Sequence, residues 1–97
     1  MTNAGYEIIM MEAYSELEDG RFGIALGRRP SSFPQVSGEP YQYVTWGYTE
    51  RADQPISFYW GHYVIHKDAA YEDYHDRLAK EYAYQEQVRE ESEENEG

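Results

Sequence analysis

Apolar residues alternate with polar or small ones in several stretches before residue 67, and after it they recur at spacings of three and four. The first spacing belongs to strands and the second to a helix. Over 6–13, Tyr6, Ile8 and Met10 point one way and Ile9, Met11 and Ala13 the other. Both sides are apolar, as in a strand covered on two faces. Met, Glu, Ala and Leu would also allow a helix over 7–18. Tyr6, Ile8 and Ile9 at the start favour the strand, as does Glu18-Asp19-Gly20, which reads as a hairpin turn whose Asp-Gly pair would supply positive φ. Over 21–28, Phe22, Ile24 and Leu26 share one face, and Gly23, Ala25 and Gly27 the other. The large face is expected to meet the core, and the small face to seat an aromatic ring laid over glycine from the next strand.

The stretch 29–40 holds three prolines and three serines and predicts a loop without regular structure, with Phe33 tucked back as an anchor. Two β-prone runs follow, 41–51 and 56–66, around the turn residues Ala52, Asp53, Gln54 and Pro55. Each carries a Trp-Gly-aromatic triplet, Trp46-Gly47-Tyr48 and Trp60-Gly61-His62. Paired as a regular hairpin, they place Val44, Trp46 and Tyr48 with Phe58, Trp60, His62 and Val64. Tyr41, Tyr43 and Thr45 then share the other face with Tyr59, Gly61, Tyr63 and Ile65. Asp68 fits a helix N-cap, and 69–89 reads as a helix with Ala70, Tyr71, Tyr74, Leu78, Tyr82 and Gln85 in one stripe.

These elements predict an α+β domain: a four-stranded antiparallel meander followed by one long C-terminal helix across a sheet face (ββββα). Residues 1–5 are expected to fray, 6–89 to form the domain, and 90–97 to be an acidic, disordered tail. Ninety-seven residues suit a single domain. The stripe of the helix needs one face of the hairpin. The Trp46 and Trp60 face is the expected partner, because Val44, Phe58 and Val64 enrich it. The tyrosine face of Tyr41, Tyr43, Tyr59 and Tyr63 is then free.

Charge narrows the function. There are 19 acidic and 8 basic residues, for a net charge of −11. From Asp68 onward the counts are 11 and 3, so the acidity is concentrated in the C-terminal segment. Such a chain repels phosphate backbones and anionic membranes, which disfavours nucleic-acid binding. No stretch is apolar enough for an anchor or a signal segment, which points to a cytoplasmic protein with no membrane partner. With no cysteine, disulfides and thiolate metal sites are excluded.

Little in the chain points to catalysis. His62 and His66 lie about 13 Å apart if both are on one strand, too far to share a metal. Most carboxylates, 11 of 19, fall on the helix or in the tail, where water solvates them. No serine has a nucleophile-elbow context and no glycine loop cradles phosphate. Neither enzyme activity nor a cofactor is expected. The candidates are instead aromatic: half of the chain's sixteen Phe, Trp and Tyr residues lie in 41–66. Aromatic residues are enriched at protein-binding hot spots. Tyr41, Tyr43, Tyr59 and Tyr63 are the expected interaction face, with Arg28, Arg29 and Phe33 at its rim.

The series Tyr6-Glu-Ile-Ile, Ala25-Leu-Gly, Tyr43-Val-Thr-Trp, Tyr59-Trp-Gly-His-Tyr and Ala69-Ala70 resembles a family of small bacterial proteins carried as accessory cargo on conjugative and other mobile elements. The resemblance covers about residues 6–85. It implies a setting, and no catalytic residue. The expected function is therefore a non-enzymatic interaction module, binding a protein partner or a second copy of itself as a homodimer. The alternative is an acidic DNA mimic of the counter-defence kind, whose helix engages a basic nuclease or regulator.

Overall fold

Alternating side chains become a five-stranded antiparallel sheet in the computed structural model, with each strand hydrogen-bonded to its neighbour in sequence. The structure describes residues 1–96, with side chains through Glu90. Beyond Glu90, the acidic tail expected over 90–97 lies outside the residues whose side chains are described. The elements are β1 (Thr2–Asn3), β2 (Tyr6–Leu17), β3 (Gly20–Pro30), α1 (Pro34–Ser37), β4 (Tyr41–Arg51), β5 (Gln54–Val64) and α2 (Lys67–Glu96). The α+β architecture and the C-terminal helix agree with the pattern; the strand count does not. Residues 1–5, read as a fraying end, supply the extra strand. Ala4 and Gly5 both take positive φ, 52° and 84°, and fold Thr2 and Asn3 back onto Glu7 and Tyr6.

Three further expectations need correction. The turn at Glu18 and Asp19 forms without positive φ. Gly20 is needed there for space, because a Cβ would collide with the backbone carbonyl of Glu50. The two hairpin turns also tie to each other: Ala52 N–H donates to the Asp19 carbonyl at 3.1 Å, and Arg51 pairs with the Asp19 carboxylate at 3.2 Å. In the expected loop, β3 runs on to Pro30 and one turn of helix forms at α1, ended by Gly38 in the left-handed region. Phe33 sits at the start of that turn and does not tuck back; it is 70% exposed.

The sheet has an apolar cluster on each face. On one, Ile24, Leu26 and Tyr43 pack against Ala70, Tyr74 and Leu78 of α2. On the other, Ala25, Val44, Trp46 and Tyr48 gather with Tyr6, with no helix over them. Here the sheet itself closes the cluster. Three strand spacings separate β2 from β5, roughly 14 Å in a flat sheet, yet the rings of Tyr6 and Tyr63 lie 6.4 Å apart. The sheet curls around Trp46, which meets Tyr6 edge-on at 5.8 Å and Phe58 at 5.4 Å.

The small face of β3 does what its composition predicts. Tyr48 lies over Gly23, and the Trp46 ring over Gly27. A Cβ on Gly27 would come within 2.8 Å of that ring and 3.1 Å of the Tyr6 Cβ. Gly27→Val is therefore expected to cost about 1–2 kcal/mol by overpacking. Urea denaturation would show it as a lower midpoint at unchanged slope.

Candidate interaction site at the open sheet edge

β5 forms the open edge of the sheet, and a bulge decides what it presents. Thr45 pairs with His62 and Gly47 with Tyr59, so Trp46 faces two residues, Trp60 and Gly61. The extra residue reverses the alternation of everything after it. Phe58 stays on the Trp46 face and Tyr59 on the opposite, Thr45 face, as the regular hairpin predicts. His62 and Val64 move to the helix face and Tyr63 to the Trp46 face. Trp60 takes φ 54° and its ring leaves the sheet. A left-handed backbone costs a side-chain-bearing residue about 1–2 kcal/mol. Gly61 supplies the local reason: it leaves the Trp46 ring a seat, with 3.3 Å from the ring to where a Cβ would stand.

The helix lies on the face opposite to the one expected. Tyr43 is buried beneath it beside Tyr71, at 6.5 Å between rings, and Trp46 is buried by the curl of the sheet. A polar network marks the seam. Thr45, fully buried at the centre of β4, donates its hydroxyl to Asp73 Oδ2 at 2.5 Å. It accepts from Arg77 Nη1 at 2.9 Å, and the same nitrogen reaches the Thr45 carbonyl at 3.1 Å. His62 Nδ1 is 3.0 Å from Asp73 Oδ2. An ionised carboxylate can only accept, so Nδ1 carries the proton and a neutral His62 keeps Nε2 as an acceptor. Partial burial would raise the Asp73 carboxyl, but the bonds from Thr45 and His62 outweigh it and hold it below the ordinary carboxylate range. Burial pulls the Arg77 guanidinium down, against the opposing charges of Asp73 and Glu81.

The predicted interaction residues divide between the two faces. Tyr41 and Tyr43 belong to the helix-side core and are not a free surface. Arg28 stacks over Tyr41 at 4.6 Å, with its Nε buried and unpartnered. Tyr59 is half-buried on the helix face and bonds Thr49 Oγ1 through its hydroxyl at 2.9 Å. Tyr63 and Arg29 do come together, around a groove of about 360 Å³ that also includes Tyr6, Gln42 and Ile65. Arg29 lies over the Tyr6 ring at 4.8 Å and donates from Nε to Gln42 Oε1 at 3.0 Å. Phe33 is at the same end of the sheet, because Glu39 of the α1 connection contacts His66 just past β5, Oε1 to Nδ1 at 3.1 Å.

The sequence reading missed Trp60 as a surface residue, and it placed Ile65 on the free face without naming it as an interaction residue. Trp60 is 76% exposed, Tyr63 71% and Ile65 55%. The available signal was the glycine after Trp60, since glycine inside a strand often marks a bulge. Among the described residues no three His, Asp or Glu side chains group as a metal site requires, and no helix is long and apolar enough to cross a membrane. No family model, curated protein or solved structure matches this chain.

Proposed function

We propose that this protein is a non-enzymatic interaction module that holds an extended segment of a protein partner along β5. One observation carries the reading: the edge over 54–65 contains no Asp, Glu, Lys or Arg, yet exposes Trp60, Tyr63 and Ile65. An open edge offers backbone groups for strand addition, and large exposed side chains supply anchors. A net charge of −11 favours a basic partner and fast, salt-sensitive association. Arg29 and Phe33 stand at the rim. Carriage on a bacterial mobile element is the proposed setting, and conjugation or transposition genes beside the coding sequence are the expected finding.

Trp60→Ala and Tyr63→Ala are each expected to weaken partner capture about tenfold or more while leaving the thermal midpoint nearly unchanged. Variants that bind like the wild type would remove the reading. Sedimentation equilibrium tests for a second copy as the occupant: a dimer lost in the same variants would make the edge a self-association surface. The acidic-helix reading rests on Asp68, Glu72 and Asp76, exposed at four-residue intervals, about 6 Å apart along the axis. We place it second, because Lys80 occupies the next position and Asp73 is tied inward. Binding to a basic nuclease that falls on Glu72→Ala, and survives Trp60→Ala and Tyr63→Ala, would reverse that order.

A further inference from the structure

We infer that the cleft under Trp60 binds the guanine-type purine base of a free nucleoside or mononucleotide. This cleft, of about 200 Å³, opens between β5 and α2 and is distinct from the groove at Arg29 and Tyr63. The inference does not rest on the protein-partner reading. Tyr59 and Trp60 form its aromatic wall, with ring centroids 4.9 Å apart and planes at 85°. A flat ligand lying on one ring turns its own edge to the face of the other. Base stacking on aromatic side chains is worth having for any base and selects none.

Selection comes from the polar side chains around that corner. Arg77, Lys80 and Glu81 enter from the helix, His62 from β5 and Tyr14 from β2. Arg77 commits Nη1 to Thr45, which leaves the other guanidinium N–H groups for a ligand. Glu81 offers a carboxylate, an acceptor only. Burial and the Glu81 charge push the Tyr14 phenol up to about 12, so it stays a donor at neutral pH. The cleft thus presents a strong acceptor and a planar donor together.

Guanine carries the complementary groups. Its N1–H and N2 amino donors lie side by side and suit a carboxylate; its O6 and N7 acceptors suit a guanidinium. Adenine lacks the N1–H donor and turns an amino group toward the position where guanine has O6. A simple aromatic acid would set its charge against Glu81. A polynucleotide would meet the −11 charge of the whole chain at every phosphate.

The experiment uses the full chain labelled with ¹⁵N. Its two tryptophans give two indole N–H signals, assigned with Trp60→Phe. GMP, IMP and AMP are titrated separately, so that phosphate charge is matched. The expected result is a saturable shift of the Trp60 signal with GMP, a several-fold weaker response to IMP, which lacks the N2 amino group, and a response to AMP about tenfold weaker or less. Glu81→Gln, with an unchanged far-UV circular dichroism spectrum, is expected to lose about tenfold in GMP affinity. No saturable shift by about 10 mM GMP, equal binding of AMP and GMP, or a folded Glu81→Gln that binds like the wild type would each overturn the inference. The nucleotide series needs no substitution, so it decides the matter even if the variant misfolds.

Discussion

Trp46→Ala is expected to destabilise the protein by about 3–5 kcal/mol, as large-to-small substitution of a fully packed aromatic does. The ring is 4% exposed, although no helix lies over it. Its walls are the Tyr6 and Phe58 rings, and its seats are Gly27 and Gly61. Alanine would leave a void that none of these can fill, because two are glycines and the rings are held by the curl of the sheet. The matching control is Trp60→Ala. At 76% exposure Trp60 has little packing to lose, and the change is expected to stay within about 0.5 kcal/mol. Urea denaturation of both variants checks the pair. Similar losses at the two tryptophans would mean that the bulge does not separate them as described.

That contrast shows how far the sequence pattern reaches. Tyr71, Tyr74 and Leu78 recur at helical spacing, and the helix they predict packs through them, with Ala70. The large-small alternation of β3 predicts both of its faces, down to the rings over Gly23 and Gly27. Each signal is local and periodic. The β5 assignment fails because a period of two stores its information in phase. One extra residue at Trp60–Gly61 inverts every side chain after it. β2 carries two such irregularities, between Ile8 and Met10 and between Ala13 and Ser15. They turn Met10 and Tyr14 toward the helix-side core and Met11 toward the other face, with no glycine to announce them.

Which face receives the helix was not legible from apolar content, since both faces are apolar. The deciding residues are polar. Thr45 sits fully buried in the middle of one face and needs partners. Asp73 and Arg77, four residues apart on α2, supply both an acceptor and a donor. As a charge pair Asp73–Arg77 reads like a solvated surface pair; its role depends on a threonine 28 residues before Asp73. The same error displaced the candidate site. With the helix on the Thr45 face, Tyr43 becomes core, and the exposed aromatics of β5 are Trp60 and Tyr63, which the bulge turns outward.

Asp73→Ala tests that seam and is expected to cost about 2–3 kcal/mol at pH 7, because it leaves a buried hydroxyl without its acceptor and a half-buried guanidinium without its nearest opposite charge. The deficit should depend on pH with a definite sign. Burial alone would raise the Asp73 carboxyl; the Thr45 and His62 bonds hold it below its ordinary value in the folded state. A group depressed in this way stabilises the fold above its unfolded pKa, about 3.9, and that stabilisation is lost as pH falls through the lower folded value. The wild type therefore loses the contribution in acid, whereas the variant has none to lose. Urea midpoints for both proteins should lie well apart at pH 7 and converge toward about pH 3. A gap of constant size across that range would mean that Asp73 acts through packing, and that the helix is placed by its tyrosine and leucine stripe alone.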